Sequence, residues 1–526
     1  MPKGYLALVL HAHLPFIRHP EYESFLEENW LFEAVTDTYI PLINVFDRLV
    51  DENIDFRITI SLSPTLIDML RDELLVSRYL KHLDGLIDLA GKEVERTRSD
   101  EKVNSLALMY FERFKNTRAV FSEKYNNDIT SAFKKFQDLG KVEIMTCCAT
   151  HGLLPLMDLY PEAVRAQVGV AVDTYKEVFG KAPQGMWLPE CAYKAGHDEF
   201  LKEFGIKYFF VETHGILFGS PRPRYGVYSP YVCDSGVAVF GRDMESSKAV
   251  WSSREGYPGD HNYREYYRDI GFDLDYDYMK PYLNGCGTRV NVGIKYHKIT
   301  GETDHKEIYD RQAALDTAES HARNFIFNRE KQVEHLTDLM DRAPILISPY
   351  DAELFGHWWF EGPEWLDFLL RKINFDQDTV ATITPGEYLG LYDKFPAITP
   401  TQSSWGYKGY NEVWLDGCND WIYKHLHKMA ELMIRAAKDC TEASGLEERV
   451  LNQMARELLL AQSSDWAFIM KTGTFSEYAT SRTRDHIGRF LALHSQLRSG
   501  NIDVAMLEGT EYKDNVFQNI DYRVYA

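Results

Sequence analysis

The chain has 526 residues, 45% of them hydrophobic, which is enough for a large catalytic domain with an accessory domain and is unlike a disordered chain. Its 79 Asp and Glu against 58 Lys and Arg give a formal net charge of -21, which argues against a phosphate-backbone binder or a protein drawn to an anionic membrane. Seven scattered cysteines, Cys147-Cys148 among them, make neither a disulfide framework nor a CxxC metal spacing. The apolar runs are too short for a membrane span or a signal-peptide core, so a soluble, cytoplasmic protein is expected.

The first predicted strand covers residues 6–10 and runs into His11-Ala-His13. A second, 56–61, leads to Ser63-Pro64. From there to Gly140 the chain reads as helix after helix (66–74, 103–115, 129–139), a helical insertion over 65–140. Strand 142–146 precedes Ala149-Thr-His-Gly152, and a helix follows over 160–179. Strand 185–188 precedes Pro189-Glu190-Cys191, helix 195–204 follows, and strand 208–211 precedes Glu212-Thr-His-Gly215.

The stretch 218–293 is irregular and rich in Tyr, Gly, Pro and Asp, the composition and length of a lid or binding loop. Within it, strand 237–240 leads to Gly241-Arg-Asp243. Strand 345–347 leads to Ser348-Pro-Tyr-Asp351, and 380–383 is the last strand. Beyond Trp405 the pattern is helical only: 421–439, 447–470 and 475–497.

Continuous rather than alternating apolar runs mark strands buried on both faces. Strand, helix, strand in succession implies a parallel sheet. Polar residues collected behind the strands fit the active face of a β/α barrel, and equally the strand ends of an open doubly wound sheet. The expected division is a catalytic domain over 1–400 and a helical domain over 401–526.

Two carboxylates stand directly after buried strands. Glu190 lies in Trp187-Leu-Pro-Glu-Cys-Ala-Tyr193, where a buried ion pair with an Arg is the competing reading. Asp351 lies in Pro349-Tyr-Asp-Ala-Glu-Leu-Phe-Gly-His-Trp-Trp359, where a helix cap is the competing reading and Glu353 a competing carboxylate. Carboxylates on separate strand ends suit glycosidic bond cleavage, one attacking and the other exchanging protons. His11 and His13 share one side of a strand. With His151, His214 or His357 they would begin a metal site, the signature of an amidohydrolase or polysaccharide deacetylase; otherwise they hydrogen-bond substrate. Abundant aromatics, 13% of the chain, also fit a sugar-binding protein without catalysis.

His11-Ala-His-Leu-Pro15, Ala149-Thr-His-Gly152, Trp187-Leu-Pro-Glu190, Pro349-Tyr-Asp-Ala-Glu353 and the segment from Trp405-Gly to Trp414-Leu415 occur in this order. Together they resemble glycoside hydrolase family fifty-seven, above all its 1,4-α-glucan branching enzymes and their amylase-named relatives. The resemblance implies an α/β fold: a distorted seven-stranded (β/α) barrel with a helical insertion, then an all-α C-terminal domain on the acceptor side of the site. It implies a retaining mechanism with Glu190 as nucleophile and Asp351 as general acid/base, and neither metal nor cofactor. Substrate contacts carry over to His11, His13, Trp30, His151, Arg242, Asp243, Arg268, Gly285, Trp405, Trp414 and Asp465, and Tyr231 is the candidate for a loop tyrosine over the site. The expected partner is an α-glucan, with no nucleic acid or membrane. The expected activity is α-1,6 branching with some hydrolysis; an α-amylase or 4-α-glucanotransferase is the alternative. Trp405 and Trp414 are expected to hold the acceptor.

Overall fold

The computed structural model describes residues 2–252, 255–283 and 288–526. Nine strands among them form one sheet: β1 (Gly4–Ala12), β2 (Ile58–Leu62), β3 (Val142–Cys147), β4 (Gly185–Trp187), β5 (Tyr208–Val211), β6 (Tyr231–Val232), β7 (Ala238–Gly241), β8 (Ile345–Asp351) and β9 (Val380–Thr382). Their order in space is β6-β7-β5-β4-β3-β2-β1-β8, with β9 beside the first residues of β1. The row from β7 to β8 is parallel throughout, and β6 pairs antiparallel on its edge. These seven parallel strands are the expected barrel, open along one seam. There the Asp243 amide donates to the Ile347 carbonyl at 2.9 Å, and no strand ladder joins β7 to β8 among the described residues.

Burial explains the sequence pattern. Leu6, Ala7, Leu8, Val9 and Leu10 of β1 are each at most 1% exposed, because one face points into the barrel and the other against helices. Helix Pro161–Phe179 crosses from β3 to β4, and Arg311–Thr337 precedes β8. The latter buries Ala314, Ala318, Ala322 and Val333, small residues that let a helix with many exposed charges lie close to its neighbours.

Four helices fill the connection from β2 to β3: Pro64–Arg71, Glu73–Arg96, Glu101–Ala119 and Thr130–Asp138. Asp72 and Asp100 start the two long ones by accepting from the Leu75 and Val103 amides. After β9 come Trp421–Asp439, Leu446–Ala461, Ser464–Thr472, Ser476–Ser499 and Val504–Lys513, an all-helical bundle around Leu458, Leu459 and Phe490. The single helix expected over 447–470 is two. The chain turns at Gln462–Ser463, where Ser463 bridges to Gly152 and the Ser464 amide donates to the His151 carbonyl at 3.2 Å. No helix among the described residues is long and apolar enough to cross a membrane.

Candidate active site

Strand register assembles the centre of the site. In β1, His11 stands opposite Ser61 of β2 on one side and Asp351 of β8 on the other. His11 Nδ1 lies 3.2 Å from Ser61 Oγ, and two residues on, His13 Nδ1 lies 2.9 Å from Ser63 Oγ. His151, from the turn after β3, places Nδ1 2.8 Å from Ser464 Oγ and Nε2 3.0 Å from His11 Nε2. The rings of His13 and His151 stack at 3.9 Å, and His11 lies on the buried Trp187 at 4.8 Å. Burial holds His11 and His151 well below the usual imidazole range, with the neighbouring imidazoles adding to it, so both are neutral.

Glu190 sits in the short turn Pro189–Cys191 behind β4, and Trp405 binds it twice. The Trp405 amide donates to the Glu190 carbonyl at 2.9 Å and the indole N–H to Oε2 at 2.5 Å. His151 Nδ1 is 3.9 Å from Oε1. Burial pushes the Glu190 carboxyl up to about 8; the Trp405 N–H opposes this, while the charges of Asp351 and Asp465 add to it. Asp351, the last residue of β8, is pushed up to about 6 by burial, moderated by Arg242 and His13. Glu353 is a third raised carboxyl at about 8, mainly through burial, with Asp351 adding to it; it accepts from the Tyr39 hydroxyl and the His13 amide.

Asp465, at the start of Ser464–Thr472, points into the site rather than out to solvent. Its Oδ2 is 2.9 Å from His13 Nε2 and accepts from Ser463 Oγ at 2.5 Å. Burial would raise its pKa, but His13, His151 and Ser463 outweigh it and hold it at about 2. Arg242 donates to Glu212 Oε2 at 3.0 Å, with its guanidinium 5.5 Å from the Trp405 ring centre. The structure therefore gathers Glu190, Asp351, His11, His13, His151, Arg242, Trp405 and Asp465.

Beside them opens a cavity of about 970 Å³ whose lining includes Asp351, Arg268, Tyr267 and Trp358. Arg268 is held there by Asp273 at 2.8 Å.

Other expected residues are placed differently. Trp414 is 1% exposed: Gly406 leaves room for its ring, which packs into the core and has no face open to a ligand. Tyr231 is not in a loop over the site. It is 1% exposed in β6, its hydroxyl accepting from the Tyr225 amide and donating to the Gly226 carbonyl. Asp243 is 2% exposed and caps helix Met244–Trp251, with Gln332 and Arg329 also on its carboxylate. Trp30 stands edge-on to Phe475 and Tyr478 of the helical bundle. Gly285 lies outside the described residues.

The metal reading meets a donor set already engaged. Ring nitrogens of His13 and His151 and an Asp465 oxygen lie within 4.8 Å of one another. Yet every nitrogen of the three imidazoles has a hydrogen-bond partner, and stacked parallel rings aim their lone pairs side by side rather than at one point. His214 bonds the Gly409 carbonyl and His357 bonds Tyr266 and Asp37, so neither joins them.

Ser61, Ser63 and Tyr266 are not singled out by the sequence, whereas Trp358 lies in the run behind Asp351. Ser61 and Ser63 repeat the two-residue spacing of His11 and His13, a signal readable once β1 and β2 are paired. Ser464 lies in the run Ser463-Ser-Asp-Trp466, and only the turn in the C-terminal bundle shows that it reaches His151.

Residues 7–344 match the model of glycosyl hydrolase family 57, and residues 425–525 match that of the 1,4-alpha-glucan branching enzyme C-terminal region. The chain is 47% identical, at a TM-score of 0.94, to the alpha-amylase AmyC from Thermotoga maritima, covering 100% of this chain and 99% of that one. It is 34% identical to a 1,4-alpha-glucan branching enzyme from Thermococcus kodakarensis, over 98% of this chain and 78% of that protein. A branching enzyme from Pyrococcus horikoshii has 32% identity and a TM-score of 0.88, covering 99% of this chain and 97% of that one. With two carboxyls raised by burial behind the strands of an open parallel barrel, and a helical bundle closing on them, this chain belongs to glycosyl hydrolase family 57.

Proposed function

We propose that the protein cleaves α-1,4-linked glucan by a retaining two-carboxylate route and releases the glycosyl unit chiefly to water, as an α-amylase does. The observation that carries the reading is the pair Glu190 and Asp351: two buried carboxyls on separate strand ends, each pushed up, with one indole N–H directed at Glu190. Glu190 attacks the anomeric carbon while Asp351 gives its proton to the departing oxygen, leaving a covalent ester. Asp351, now ionised, takes a proton from water, whose oxygen displaces Glu190 and restores the free enzyme. Asp465 takes His13 and Ser463 on Oδ2, which leaves Oδ1 to accept from a hydroxyl of the bound unit, while the engaged imidazoles of His11, His13 and His151 hold that wall of the site in place.

Similarity over the whole chain to an alpha-amylase supports water as the acceptor. The second reading, branching transfer to a glucan 6-hydroxyl, draws support from the match over residues 425–525 and the branching-enzyme relatives. Incubation with amylose, with and without EDTA, separates the two. New reducing ends without α-1,6 linkages, unchanged by EDTA, are expected by reducing-sugar assay and proton NMR. α-1,6 linkages well in excess of reducing ends would establish the second reading, and loss of activity on chelation would overturn both.

A further inference from the structure

Among the described residues the Asp351 carboxylate accepts no side-chain hydrogen bond, so its aim depends on the backbone that carries it. On one side that backbone is fixed by β1, because the ladder between β1 and β8 ends with His11 opposite Asp351. On the other side the ladder has ended, and the chain enters the short turn Ala352–Leu354. There the side chain of Glu353 continues the link. Its Oε1 accepts from the His13 amide at 3.3 Å, two residues past the last strand pair, and from the hydroxyl of Tyr39.

Tyr39 is 1% exposed and ends the π-helical turn Ala34–Tyr39, every residue of which is buried. Such turns are rare and occur mostly singly, frequently at functional sites. This one grips the residues behind Asp351 a second time. Asp37 Oδ2 is 3.5 Å from His357 Nδ1, and the Asp37 carbonyl stands directly against Gly356. Burial would raise the Asp37 carboxyl, but the His357 bond and the guanidinium groups of Arg264 and Arg113 outweigh it, so it stays ionised. Arg113, from helix Glu101–Ala119, also donates to the Asp37 carbonyl at 3.4 Å.

We infer that the buried turn Ala34–Tyr39 is the support that aims the acid/base: Tyr39, acting through Glu353, is a positioning residue for Asp351, and Asp37 braces the same loop through His357. The helical insertion thereby gains a part in the chemistry, since its Arg113 holds Asp37. The inference rests on the two-carboxylate reading. Protonation of the leaving oxygen requires Asp351 in line with it, and a displacement of about 1 Å costs about 10²-fold. Attack by Glu190 on a substrate that needs no proton does not share that requirement, because Trp405 holds Glu190.

α-Maltosyl fluoride separates the two demands. Its burst of fluoride reports attack by Glu190 alone, whereas cleavage of maltoheptaose reports attack together with protonation. Tyr39→Phe should lower kcat on maltoheptaose at least about ten-fold with KM little changed, while the burst rate stays within about two-fold of wild type. Glu353→Gln keeps the Oε1 acceptor and should remain closer to wild type than Glu353→Ala. Adding Tyr39→Phe to Glu353→Ala should cost little more, because Tyr39 acts through Glu353. Equal falls in burst and cleavage, unchanged cleavage by Tyr39→Phe, or losses that add fully in the double variant would overturn the inference while leaving the glucan reading intact. If Glu353→Ala does not fold, the ratio of burst to cleavage in Tyr39→Phe decides alone. A wild type inactive on both the fluoride and amylose would remove the glucan reading and the inference with it.

Discussion

Glu190 adopts φ 61 and ψ 22, Cys191 follows at φ 49, and His151 across the site is at φ 57, a left-handed conformation rarely adopted by side chains of this size. Each costs about 1–3 kcal/mol and persists only where the surroundings enforce it. At Glu190 they do, through the two hydrogen bonds from Trp405. Chemistry separates the two carboxylates. With α-maltosyl fluoride, whose leaving group needs no proton, Asp351→Asn should still release a burst of fluoride while losing amylose cleavage, because only its acid and base roles are gone. Glu190→Gln should lose both by at least about 10³-fold; fluoride release by that variant would remove it as nucleophile. The raised carboxyls also set the pH profile. Between about 6 and about 8 the pair carries one proton, which Glu190 holds more strongly in the free enzyme, and cleavage uses the arrangement with that proton on Asp351, so kcat/KM should be bell-shaped and greatest near neutrality. The Trp405 N–H favours ionised Glu190, so Trp405→Phe should raise the proton affinity of Glu190. The alkaline limb should then move up and the plateau fall, since the shared proton shifts away from Asp351; an unmoved limb would rule this coupling out.

The turns behind the strands carry as much of the site as the strands do. Between Asp351 and Trp359 the chain reverses at Gly356, φ 110, where an added Cβ would meet the Asp37 carbonyl oxygen at 1.8 Å. Gly356→Ala should therefore cost well over 1 kcal/mol and displace Asp351 as well, lowering both Tm and activity; a variant with wild-type Tm would show the turn to be slack. Strands and turns differ in how far the sequence reveals them. β1, β2 and β8 are legible because strands buried on both faces must be apolar throughout. β6 is not, since two residues make no pattern. Helix Glu73–Arg96 extends far past the expected end near residue 74, because Asp72 closes one helix and caps the next, so a single apparent element is two. That Glu190 and Asp351 stand directly behind buried strands is legible in the sequence, while the roles proposed for them come from the resemblance. Trp414 was misleading: beside Gly406 it has the same Gly-rich setting as Trp405, and only the tertiary fold decides which indole meets Glu190 and which fills the core.

At the scale of the whole molecule, the helical bundle is part of the site. The turn at Ser463 sends Ser464 to His151 and Asp465 to His13, and the strand ends they meet belong to β1 and β3. Asp465 is where this union can be measured. Its side chain is 18% exposed and its pKa is held at about 2, so the ionised form favours the folded state. A folded pKa below the unfolded one gives stability that is complete above the unfolded value, near 4, and is lost as pH falls through 2. A shift of this size corresponds to roughly 2 kcal/mol. Asp465→Asn preserves shape and removes the charge. It should destabilise the protein by that order at pH 7, and the gap from wild type should narrow between about pH 4 and pH 2 as the wild-type carboxylate is itself protonated. Chemical unfolding at pH 7, 4 and 3 reads the difference directly. A gap that stays constant across that range would mean that packing, and not the charge Asp465 carries beside His13 and Ser463, joins the bundle to the barrel.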